Sequence, residues 1–146
     1  MKKIIYSFLF ISSIFTAKAE QIPYITFSAK NTTTVYLQVS GLEYSINNSE
    51  WKQWQAVSKE SAVLFGDSLG DLQLRGKLKN GTNDQSFVFS SSKNNEISCS
   101  GDIRTLVDYE NYIQTDCSSA IFSSLFYDCT DLVSAPSLPI TNIAPS

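Results

Sequence analysis

Phe122-Ser-Ser-Leu-Phe-Tyr-Asp-Cys-Thr-Asp-Leu-Val-Ser-Ala-Pro-Ser-Leu-Pro139 lies close to the C-terminal end of this 146-residue chain. Ile121, Phe122, Leu125 and Phe126 fall at i, i+1, i+4 and i+5, and Cys117 and Cys129 extend the row by four residues each way. That spacing predicts one apolar stripe on a helix, started by Ser118 or Ser119 as the cap. Leu132, Val133 and Leu138 predict a short extended apolar segment, and Pro136, Pro139 and Pro145 forbid further helix. Helix, extended segment and proline-rich descent together have the layout of one solenoid coil. A single coil cannot bury its own apolar face, and about three or more are needed for stability. Either the chain is a piece of a longer protein, or the segment must find cover elsewhere.

Upstream, residues 24–101 read as short strands. Tyr24 to Ala29 is β-rich, and Val35, Leu37 and Val39 alternate with Tyr36, Gln38 and Ser40. A period of two marks a half-buried strand. Gly41 breaks the run, after which Leu42, Tyr44 and Ile46 alternate with Glu43 and Ser45. Asn47-Asn48-Ser49 is turn chemistry, with Trp51 to Val57 as the return strand of a hairpin. Ser61 to Phe65, Leu72 to Leu78, Phe87 to Phe89 and Ile97 to Cys99 supply further short runs. They are separated by the Gly66–Asp71 loop, the Lys79-Asn80-Gly81-Thr82 turn and the polar stretch Ser91–Asn95. About eight strands with frequent turns predict an antiparallel β-sandwich. No βαβ pattern occurs, which argues against parallel pairing. After Gly101 the character changes: Asp102 is placed to cap a helix from Ile103, with Leu106 and Val107 on one face.

The N-terminus reads as an export signal. Lys2 and Lys3 precede an apolar run over 4–16, too short for the roughly 20 helical residues that span a bilayer. Ala17 and Ala19 stand at −3 and −1 of a signal-peptidase site, so cleavage is expected between Ala19 and Glu20. Removal of 1–19 takes away Lys2, Lys3 and Lys18 and no acid, which moves the net charge from −3 to −6. The expected boundaries are a signal peptide at 1–19, a β-sandwich domain at 20–101, a helical connector at 102–117 and a single incomplete repeat at 118–146. No membrane span is expected after signal removal.

An acidic chain with no basic, aromatic-interleaved patch is a poor match for nucleic acid. Histidine is absent, which removes the commonest general base and metal ligand. Cys99, Cys117 and Cys129 form no metal-ligand spacing, and an odd count leaves at least one thiol unpaired. No catalytic residue, cofactor or metal site is assigned. Trp51 and Trp54, three apart, should point to opposite faces of a strand. At most one belongs to the core, and the other is a candidate contact for a sugar ring or a protein partner.

The segment 122–144 resembles the BspA-like leucine-rich-repeat surface proteins of bacteria. Leu125, Phe126, Cys129, Thr130, Leu132, Ala135, Pro136, Leu138 and Pro139 fall on the pattern of their repeat. Ser100-Gly101-Asp102-Ile103 through Leu106 is similar to the lead into those repeats, and Leu42 to Trp51 to the hairpin before them. The resemblance implies an exported, cell-surface protein that binds extracellular protein or glycan without catalysis. With one recognisable repeat, it also implies a truncated or fragmentary form of a longer repeat protein. Two other functions are open. The β-domain could be the structural N-terminal cap of a leucine-rich-repeat solenoid. Alternatively, the chain could be a fragment of a secreted glycosidase, for which any pair among its fourteen carboxylates, dense at Asp102, Asp108, Glu110, Asp116, Asp128 and Asp131, could be posited as acid and base.

Overall fold

The computed structural model describes residues 20–138. The expected signal segment at 1–19, with Ala19 on one side of the expected cleavage point, and residues 139–146 lie outside them. The described chain is mainly β, with two sheets and a single short helix. Its strands are β1 (Ile25–Ala29), β2 (Thr33–Tyr36), β3 (Leu42–Ile46), β4 (Lys52–Gln53), β5 (Val63–Phe65), β6 (Leu72–Gly76), β7 (Val88–Ser90), β8 (Ile97–Ser100) and β9 (Leu132–Ser134). One sheet runs β4-β3-β6-β1-β8-β9 and the other β5-β2-β7.

Each expected strand run contributes a strand, and alternation decides which side faces in. Ile25 and Phe27, Leu72 and Leu74, and Ile97 and Cys99 are all buried, with polar residues between them. The β3–β4 hairpin turns where both Asn47 and Asn48 adopt positive φ, at 51° and 56°, a region that asparagine tolerates. Phenylalanines join the two sheets. The Phe27 ring on β1 lies 6.4 Å from Phe65 on β5, 5.3 Å from Phe89 on β7 and 5.0 Å from Phe87.

Two expectations are corrected. The helix expected from Ser118 or Ser119 to Cys129 is not formed. Leu125, Tyr127 and Cys129 donate to the carbonyls of Phe122, Ser124 and Phe126, three residues back rather than four. The physical cause is competition for acceptors. An α-helix would direct Leu125 N–H to Ile121 O and Cys129 N–H to Leu125 O. Those two carbonyls instead accept Thr82 N–H at 2.8 Å and Phe87 N–H at 2.9 Å, both from the β-domain. The stripe buries only in part: Leu125 is 1% exposed and Phe126 stacks on Phe87 at 6.0 Å, while Ile121 stays 46% exposed.

The second correction concerns strand direction. β9 pairs with β8 in parallel, Ile97 opposite Leu132, so the larger sheet is antiparallel except at this edge. A parallel neighbour requires a long crossover. Residues 101–131 supply it without a long helix. The connector helix α1 (Arg104–Val107) is only four residues. Asp102 Oδ1 accepts the Arg104 amide at 2.9 Å, a cap-like bond on a shorter helix than expected. Leu106 O accepts Leu78 N–H at 2.9 Å, and Leu106 sits in the same apolar cluster as Ile25 and Leu125. No helix among the described residues is long and apolar enough to cross a membrane.

Candidate functional site

The two tryptophans separate as strand geometry demands. Trp54 is 4% exposed, its indole N–H donates to Leu37 O at 3.0 Å, and its ring meets Tyr44 edge-on. It is a core residue. Trp51 is half-buried on the other side, where it joins a cluster drawn from four separate parts of the chain.

That cluster centres on Arg75. In β6, Leu72 and Leu74 point inward, which turns Gln73 and Arg75 outward. The β3–β6 register sets Arg75 opposite Glu43, and Arg75 Nε donates to Glu43 Oε2 at 2.6 Å. The guanidinium lies between two aromatic faces, 4.2 Å from the Trp51 ring centre and 4.3 Å from that of Tyr109. Tyr24 closes the far side, edge-on to Trp51 at 4.9 Å. Burial works against the Arg75 charge, but hydrogen bonds to Glu43 and Tyr24 outweigh it, so the pKa is raised. Such a planar cation between rings gains both stacking and quadrupole attraction.

Tyr109 is brought here by the connector, its amide donating to Gly76 O. Beside it, Lys77 Nζ contacts Glu110 at 2.6 Å and Asp108 at 3.0 Å. Hydrogen bonds to Glu110 and then Asp108 raise the Lys77 pKa, while the bonds from Lys77 and then Asn111 lower that of Asp108. Asp102 pairs with Arg104 and accepts two of its side-chain nitrogens, and Asp131 accepts the Ser91 hydroxyl at 2.7 Å. Asp116 is held by Ser118, first through its amide and then its hydroxyl, which lowers its pKa. These carboxylates serve as partners for cations, hydroxyls and amides within the fold.

The surface around Trp51 is thus an aromatic and charged cluster on the larger sheet, with the Arg75 guanidinium against the Trp51 and Tyr109 rings. Sequence reading found Trp51 but missed Arg75, Tyr24 and Tyr109. The outward positions of Glu43 and Arg75 were legible, whereas their adjacency depends on β3 lying beside β6. A second concavity, about 270 Å³, lies between Ser86–Phe89 and Tyr127–Asp131, with Tyr127 76% exposed at its edge. Cys129 lines it, and its thiol donates to Phe87 O at 3.4 Å. No family model, curated protein or solved structure matches the chain.

Proposed function

We propose that this chain is an exported, non-catalytic surface module of the BspA-like leucine-rich-repeat kind. In this reading the two sheets form a sandwich, and residues 118–138 are the first coil of a repeat stack laid against it. The observation that carries it is β9, the repeat-like extended segment, added in parallel to the edge of an otherwise antiparallel sheet. A solenoid grows by that kind of parallel addition. The ligand would be an extracellular protein or glycan, met by the face around Trp51. Binding of the mature chain to glycan arrays and to immobilised matrix proteins tests this, with Trp51→Ala as control. Binding that the substitution abolishes supports it. Uniformly blank surfaces overturn it.

The structural-cap reading has its own supporting observation. One face of Trp51 is already occupied by Arg75, and Val133 and Leu138 at the β9 end stay 65% and 56% exposed. Under this reading the β-domain only covers the end of a repeat stack. Trp51→Ala then alters stability and leaves ligand binding by a longer repeat protein untouched.

A further inference from the structure

The outer edge of β7 is tied to the C-terminal segment at two places. Phe87 N–H donates to Leu125 O at 2.9 Å, and Phe87 O accepts the Cys129 thiol at 3.4 Å. Further along, the Ser91 hydroxyl donates to Asp131 Oδ2 at 2.7 Å. The concavity of about 270 Å³ is walled by Ser86–Phe89 and Tyr127–Asp131, the same two stretches. A strand added to this edge would lie about 4.8 Å from β7, in the space these contacts occupy. An extended peptide is therefore kept out, and what enters must be compact.

Backbone alternation decides what β7 offers there. Val88 and Ser90 lie opposite Tyr36 and Thr34 of β2. Phe87 turns both its N–H and its C=O towards the segment, so Phe89, two residues on, turns its own pair to the same side. β7 is an outer strand, so this donor and acceptor have no strand beside them among the described residues. The opposite wall supplies Tyr127, 76% exposed, the Asp128 and Asp131 carboxylates and the Thr130 hydroxyl. No lining side chain among the described residues is cationic.

The two carboxylates disfavour an anion. An exposed aromatic ring beside several hydrogen-bond acceptors and one main-chain donor matches a compact neutral ring with an apolar face and a hydroxylated rim. We propose that this cleft is a carbohydrate subsite taking a single pyranose ring. The sugar's apolar face lies on Tyr127, and its hydroxyl groups donate to Asp128 and Asp131 and accept from Phe89 N–H. The subsite shares no residue with the cluster around Arg75, so it stands apart from the ligand face proposed above.

The test titrates the full chain with glucose, galactose, mannose and N-acetylglucosamine at millimolar concentration, read by amide NMR. Propylammonium is titrated alongside, and immobilised glycans ending in the same four sugars separate a free ligand from a chain terminus. At least one sugar should move the amide signals of Phe89, Asp128 and Thr130. Tyr127→Ala removes an exposed ring, and Asp128→Asn keeps a residue that tolerates the φ of 60° at that position. Each should weaken sugar binding by about tenfold while leaving the urea midpoint unchanged. Trp51→Ala should leave this binding as it is. Four silent sugars, a response to propylammonium alone, binding indifferent to Tyr127→Ala, or binding lost in Trp51→Ala would each overturn the subsite.

Discussion

The Leu125 carbonyl accepts the Phe87 amide at 2.9 Å, and through that bond the C-terminal segment becomes part of the core rather than an appendage. Leu125 itself is fully buried. Leu125→Ala should therefore destabilise the whole domain by about 2–5 kcal/mol. Urea unfolding followed by tryptophan fluorescence and by far-UV circular dichroism should shift together, in one transition. A separate early transition confined to the segment would contradict this.

Trp54 and Trp51 should respond to different degrees. Trp54→Phe keeps an aromatic body but leaves Leu37 O without its indole donor. Leu37 O keeps the Val39 amide at 2.8 Å, so the lost indole bond costs about 0.5–1.5 kcal/mol, in addition to the lost volume. Trp51→Phe retains a ring beside Arg75 and should cost less than about 1 kcal/mol. Chemical denaturation of both variants under one buffer checks the ranking.

The Arg75 stack should distinguish shape from charge. Arg75→Lys keeps the cation but loses the planar group held between Trp51 and Tyr109, and should cost about 1 kcal/mol. The same substitution should increase quenching of Trp51 fluorescence by acrylamide, since one ring face is uncovered.

Alkaline pH should weaken the reduced fold through Cys99. Its neutral thiol is favoured in the folded state, where its pKa rises from 9.0 to about 12. The unfolded thiol ionises first, so this contribution is complete below pH 9 and is lost as pH climbs towards 12. The slope is about 1.4 kcal/mol per unit. Urea midpoints measured from pH 8 to 10 should fall less steeply in Cys99→Ala than in the native reduced chain.

Gly81 adopts φ 73°, and a methyl group there would meet the backbone of Ile121. Gly81→Ala should break the bridge between these residues and lower stability by more than about 1 kcal/mol. Amide exchange at Thr82, whose N–H is bound by Ile121 O, should accelerate with it.

The strands were legible because each half-buried run carries its own alternation, as in Ile25/Phe27 and Leu72/Leu74. The turn at Asn47-Asn48 was legible because the chemistry is local. Strand geometry predicted that at most one of Trp51 and Trp54 lies in the core, but not which of them. What the sequence did not reveal depends on partners distant in the chain. Ile121 to Cys129 has a helical stripe, yet its carbonyl acceptors are claimed by Thr82 and Phe87 some forty residues earlier. The parallel placement of β9 and the meeting of Arg75 with Tyr109 are likewise products of strand order, which no local pattern encodes.

The order β4-β3-β6-β1-β8-β9 places the first strand at an interior position, flanked by partners that are made much later. β1 must wait for β6, then β8, and the sheet is finished only when β9 arrives. Pairings so distant along the chain make closure entropically costly and folding slow. A polypeptide with this topology stays open while most of its length is being synthesised. The larger sheet is complete only once residues 132–134 have joined β8.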